Sequence, residues 1–399
     1  MIIGKGAIVI KFIKYIGVAA ALTALCTGCA SPVTEVSSHE VSVIKLIKPS
    51  NIPEFSRIVD EFNEVNSDIQ VKFVDAPLPM DERHQLYVSA LSGRDASVDI
   101  YWMNDEWIDE FVREGYITAL DDEISVDNSK YVVDAQDMFS RDGRLYALPI
   151  GLDMDFIFYR SDLMARAPVG WDGIMAECRR TDKNVPLGVC LESSDAEDIL
   201  HNVLEIKNSK GCSFADAVSM YKEMLSEYES ANDMPVDYVS AFKTGNASML
   251  MGKGSLWHKF NSSTSAVKGK VEMAMLPGST ANKTVNYILG YGLAVNSNSK
   301  NTAAALRFLD FMDSKEQQQR LSRDCSVMPV IETLYDDEMI HDANPYIRNI
   351  KEAVKNASTY QSLDISSESF KKAAEAVIKY LGNEETAGST GSILEALLQ

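Results

Sequence analysis

The sequence predicts an α/β fold in which helices cover a sheet of parallel type, and three observations carry the prediction. Apolar strands alternate with amphipathic helices along residues 41–101. Gly, Pro, Asn and Ser cluster at the junctions, where turns are expected. The chain is 399 residues long and 46 % hydrophobic, enough for two well-buried cores.

The elements follow in order. VSVIKLI (41–47) is an apolar strand that ends in the turn residues Lys48-Pro49-Ser50-Asn51. Phe55, Ile58, Val59 and Phe62 then recur at 3.6-residue spacing, a helix that Ser50 or Asn51 can cap with Pro53 in its first turn. Ile69, Val71 and Phe73 alternate with Gln70 and Lys72 as a second strand. A helix over about 82–92 leads through Ser92-Gly93 to a strand around Val98–Tyr101. RLYALPI (144–150) and FIFYR (156–160) are strand-like, and helices are expected to dominate 162–232. YILGYGLAV (287–295) is a further strand, followed by a helix from about Thr302 to Met312. Ser314-Lys315-Glu316-Gln317 has the spacing of a capping box and opens another helix. From 365 the chain reads as largely helical, broken near Gly382–Gly391.

The first residues belong to neither core. Lys5, Lys11 and Lys14 precede an apolar run, Tyr15 to Leu25, and small residues then lead to Thr27-Gly28-Cys29, the pattern of a secretory signal. The run is shorter than the roughly 20 apolar residues a spanning helix needs. Cys26-Thr27-Gly28-Cys29 resembles a bacterial lipobox, which implies an acylated Cys29 after cleavage of residues 1–28; Cys26 stands where that motif usually has Leu. Residues 30–40 (ASPVTEVSSHE) are polar and read as a tether. Loss of three lysines and no acids takes the formal charge from −20 to −23, which disfavours nucleic acid and anionic lipid head groups as partners.

Several chemistries lack their residues. The remaining cysteines, Cys178, Cys190, Cys212 and Cys325, show no CxxC or CxxH spacing, so no zinc site is expected. Outside the cell a disulfide is permitted, with Cys178–Cys190 the best-placed pair and buried thiols the alternative. Gly252-Lys253-Gly254-Ser255 lacks the GxxxxGK[ST] spacing of a phosphate loop. There is no GxSxG elbow and no HExxH among the five scattered histidines.

Four stretches carry a resemblance to a known family: ALSGRDASVDIYWMN (90–104), DGRLYALPIGLDMDFIFYRSDLM (142–164), FKTGNASMLMGKGSLW (242–257), and GYGLAVNSNSKNTAAALRFLDFMDSKEQQQRL (290–321) with Met328-Pro329. In order and spacing they resemble family 1 extracellular solute-binding proteins, the ligand-capturing subunits of ABC importers for oligosaccharides and related solutes. The resemblance implies a two-lobed periplasmic-binding-protein-like fold of type II, each lobe a mixed sheet flanked by helices, with the ligand cleft between them. It implies an N-terminal lobe of 41–149 plus 290–329 and a C-terminal lobe of 150–289 plus 330–399, with crossing points near Pro149, Leu289 and Pro329. It further implies a monomer on the outer face of the cell membrane, held in the bilayer by acylated Cys29. Its partners would be a carbohydrate ligand and ABC permease subunits, with no cofactor, metal or catalysis.

The same resemblance nominates ligand-binding residues. Trp102 and Asp105 lie in the segment after the DI-type strand, Asp153 follows the first crossing strand with Asp155 beside it, Trp257 ends GKGSLW, and Tyr291 lies in the returning strand. An indole covers the C–H face of a sugar ring, and a carboxylate accepts hydroxyl hydrogens in charge-assisted bonds. The same groups also attract ammonium, so a polyamine or a peptide is the alternative solute. Core packing competes for both tryptophans, more strongly for Trp107, which is spaced with Ile108 and Phe111 as a helix face. N-capping competes for the aspartates. A glycoside hydrolase using Asp105 and Asp153 is the contrasting class.

Overall fold

The alternating apolar residues of Ser42–Pro49 (β1) place Ile44 and Leu46 fully inside the first sheet. This computed structural model describes residues 41–49, 52, 54–77, 79–121, 127–132, 135–179, 185, 187–191, 196–229, 237–279, 286–359 and 367–398. The signal, Cys29, the tether and the proposed caps Ser50 and Asn51 lie outside the described residues. Helix α1 (Phe55–Val65) buries Phe55, Ile58, Val59 and Phe62, each at 2 % exposure or less. Each such side chain stabilises the fold by about 1.5–3 kcal/mol.

After β2 (Ile69–Ala76) and α2 (Met80–Ser92), strand β3 runs Ile100–Asn104, further along the chain than its sequence signal. A 3₁₀ turn, Asp105–Trp107, leads into α3 (Ile108–Arg113). Next come α4 (Ala135–Met138) and a small hairpin of β4 (Ser140–Arg141) and β5 (Arg144–Leu145). RLYALPI is therefore split, and its second part continues as β6 (Ala147–Asp153).

Strand β7 (Asp155–Arg160) opens a second sheet. Helices α5 (Gly170–Cys178), α6 (Ala196–Lys210), α7 (Phe214–Glu229) and α8 (Tyr238–Lys243) follow, with β8 (Leu187–Leu191) between α5 and α6. The chain continues with β9 (Ala247–Lys253), α9 (Leu256–Asn261), β10 (Val271–Met275) and β11 (Tyr287–Val295). Helices α10 (Thr302–Met312), α11 (Lys315–Cys325), α12 (Glu338–Ala343) and α13 (Lys351–Lys355), strand β12 (Ser358–Thr359), and helices α14 (Ser367–Leu381) and α15 (Ala387–Leu398) complete it. Strands β8, β9 and β10 have no counterpart among the strands the sequence predicts.

The first sheet has the order β12-β11-β3-β1-β2, with β6 also paired to β11. Its β2, β1 and β3 run parallel, and β11 lies antiparallel to β3 and β6. The second sheet is β10-β7-β9-β8. Each is flanked by helices, and the molecule is two-lobed. One core packs α1, α10 and the first sheet and reaches Phe156, Phe158 and Leu250 on one face of the second. The other gathers Ile157, Met249 and Met251 from the opposite face with Leu200, Tyr221 and Leu394 of α6, α7 and α15.

Strands β6 and β11 position the candidate site. Chain alternation puts Gly290 and Gly292 of β11 on one face, where an added Cβ would come within 2.8 Å of Met138 or 2.7 Å of Phe139. Tyr291 therefore projects from the other face, in register with Gly151 of β6 and Asn104 of β3.

Candidate functional site

Asp153 closes β6, in register with Leu289 of β11. Its carboxylate is wholly buried. Oδ1 accepts hydrogen bonds from the N–H groups of Met154 (2.9 Å) and Ser255 (3.3 Å), while Oδ2 accepts none among the described residues. Burial pushes its pKa up to about 6, against the Ser255 hydrogen bond and the nearby charge of Lys253. A Cβ on Gly254 would sit 3.0 Å from the Phe156 ring and 3.3 Å from Asp153 Oδ1, so a residue without a side chain brings this turn onto the carboxylate.

An aromatic pair adjoins it. Trp257, half-buried on α9, donates its indole N–H to the Ala343 carbonyl at 3.0 Å. Its ring centroid lies 6.2 Å from Tyr346, which meets Phe156 edge-on at 5.4 Å. The Tyr346 hydroxyl donates to the Ser326 carbonyl (3.2 Å), and burial together with the Asp153 charge raises its pKa well above the usual phenol value.

The other nominated residues are placed differently. Trp102 is the third residue of β3, 1 % exposed, edge-on to Phe55 at 5.5 Å and 5.9 Å from the half-buried Tyr291. It thus backs Tyr291. Asp105 is wholly buried, and its Oδ1 accepts the Gly290 N–H of β11 at 2.8 Å. Burial and the charge of Glu106 raise its pKa well above the usual carboxylate range. Asp155 is buried and paired with Lys253 at 3.0 Å, and its carbonyl accepts from the Asn286 side chain. Asp153, Trp257 and Tyr346 therefore gather in one place, with Tyr291 and Trp102 on the neighbouring strands. Asp105 is engaged with the backbone of the returning strand at Gly290, and Asp153 with the backbone of the turn between β9 and α9 at Ser255. Trp107 packs with Phe111 and beneath Arg83, as its helical spacing suggests.

Sequence reasoning missed Tyr346, although Pro345-Tyr346 in a polar stretch was a usable signal. Cys178, Cys190, Cys212 and Cys325 are present as thiols. Burial pushes Cys325 up to about 12 and Cys190 higher still. Among the described residues no His, Cys, Asp and Glu cluster suits a metal ion, and no helix is long and apolar enough to cross a membrane.

The chain belongs to the bacterial extracellular solute-binding protein family, whose model matches residues 48–319. It is 23 % identical over 325 residues to a probable ABC transporter-binding protein of Deinococcus radiodurans, covering 72 % of this chain and 75 % of that one. Among solved structures it is similar to maltose-bound MalE3 of T. maritima, with a TM-score of 0.78, 19 % identity and coverage of 90 % and 99 % of the two chains. It is also similar to UgpB of Mycobacterium tuberculosis in complex with glycerophosphocholine, with a TM-score of 0.74, 19 % identity and coverage of 89 % and 97 %. The chain is thus a member of a family of bacterial extracellular solute-binding proteins, with the fold of the ligand-bound proteins it resembles.

Proposed function

We propose that this protein captures a carbohydrate, in particular an oligosaccharide, between its lobes and delivers it to a membrane permease. The single observation that carries the reading is Asp153. A buried carboxylate oxygen without a partner among the described residues, beside a half-buried indole, suits a sugar ring that stacks on Trp257 and donates a hydroxyl hydrogen to Oδ2. Tyr291, backed by Trp102, supplies a second stacking face, with the buried Asp105 and Asp155 held by the Gly290 N–H and by Lys253. Lobes comprising 41–149 with 290–329 and 150–289 with 330–399 close about the strand junctions near Pro149, Leu289 and Pro329. The protein acts as a monomer, without catalysis or cofactor, and acylated Cys29 anchors it to the outer face of the membrane. The Cys26-to-Cys29 motif supports that anchor.

Calorimetry against malto-oligosaccharides, polyols, glycerophosphodiesters, polyamines and peptides tests the reading. An oligosaccharide is expected to bind with Kd near micromolar, about −8 kcal/mol, and Trp257→Ala to weaken it at least tenfold. Binding of an amine or peptide with none to any sugar overturns the carbohydrate assignment and leaves the transport role. Retention of a Cys29→Ala variant in the membrane fraction overturns the anchor.

A further inference from the structure

Two acid–base side-chain pairs among the described residues join elements around the first sheet to elements around the second, and in both the basic partner is a histidine. His201 of α6 lies 2.7 Å from Glu106 in the turn after β3. Its side chain is 1 % exposed and that of Glu106 14 %. His258 of α9 lies 3.7 Å from Glu54 ahead of α1, with 50 % and 28 % exposure. The first pair is enclosed and short, the second open and long, so the first dominates the coupling.

Burial of His201 works against its charge more than any other single effect. Glu106 in the 3₁₀ turn, by charge and hydrogen bond, and Asp198 on its own helix together favour the charged form, Asp105 stands beside Glu106, and Lys253 on β9 opposes it. Helix α2 packs on α6 and directs Arg83 to Trp107 and His84 to Glu110. Helix α14 offers the Phe370 ring, with its Lys372–Glu368 pair exposed, and Lys222 of α7 is engaged with Tyr380 and Asn383. The balance raises the His201 pKa above its ordinary 6.5. A desolvated pair regains hydration when its partners separate, so it stabilises contact modestly. Neutralising the imidazole removes the cation, so the ion-pair attraction is lost and at most a hydrogen bond to the Glu106 carboxylate remains.

We propose that Glu106–His201 is a proton-gated latch between the lobes: charged, it holds α6 against the turn after β3, and neutral, it lets the lobes part. The inference rests on the closing-lobe reading but on no particular ligand. Since a raised histidine pKa gives a contribution that is full below 6.5 and lost as pH climbs through the folded value, the open form gains population on the alkaline side.

Solution X-ray scattering of the whole ligand-free protein at pH 6 and pH 9 tests it, with circular dichroism reporting folding. The wild type is expected to shift its pair-distance distribution to longer distances at pH 9. Glu106→Gln and His201→Gln are expected to show the extended distribution at both pH values, and His258→Gln to keep the wild-type response. An unchanged wild-type profile, or a folded Glu106→Gln variant that still responds, overturns the proposal. Loss of the response in His258→Gln overturns the assignment to His201. Because no solute is added, failure here is distinct from failure of the carbohydrate reading.

Discussion

Asp153 combines two demands in one carboxylate. Its folded pKa of about 6 stands above the ordinary 3.8, so its contribution to stability is full at low pH and lost as pH rises through about 6. Asp153→Asn removes that loss. Its thermal midpoint is expected to exceed the wild type's at pH 7.5 by the equivalent of about 3 kcal/mol, and by much less at pH 4. The same variant is expected to bind sugar at least tenfold more weakly, since a charge-assisted hydrogen bond is lost. Gain of stability with loss of binding separates a ligand carboxylate from a packing one. At this scale the sequence revealed residue types but not their surroundings. Trp102 and Tyr291 carry the same aromatic signal, and only strand register sets one beneath the other.

Elements with a local signature were legible. The four apolar residues of α1 are the four it buries, and β11 runs over the nine residues its pattern predicted. Ser314 caps α11 by accepting the Gln317 N–H, but Gln317 Oε1 has no partner among the described residues, so the capping box is only half made. Ser314→Ala is expected to cost about 1 kcal/mol in urea unfolding. Strand β8 was missed because five residues, LGVCL, carry no alternation when both faces are covered. Its Gly188 meets α5 so closely that a Cβ would lie 1.8 Å from the Glu177 carbonyl oxygen. Gly188→Ala is expected to cost about 1–3 kcal/mol or more, by displacing helix from strand. A thermal midpoint within a degree of wild type refutes that contact.

At the scale of the whole molecule the family was legible because four stretches kept their order and spacing over most of the chain. Contacts between distant segments were not. Glu106 and His201 stand 95 positions apart, and nothing in either neighbourhood announces the other. The same holds for Asp105 and Gly290, 185 positions apart, which bind the end of the first lobe's strand to the returning one. A solute held between two lobes stabilises both. A sugar at 100 times its Kd is expected to add about 2.7 kcal/mol to unfolding. A ligand that binds in calorimetry yet leaves the thermal midpoint unmoved argues for a site outside the folded body.

The four tryptophans divide unequally: Trp102, Trp107 and Trp171 are at most 5 % exposed, and Trp257 alone is half-buried. Acrylamide quenching of the native protein therefore reads essentially one indole. With Trp257 in the proposed site, the chain would carry its own optical gauge of occupancy, and a solute that shields this indole can be found without label, radioisotope or any assumption about its chemistry.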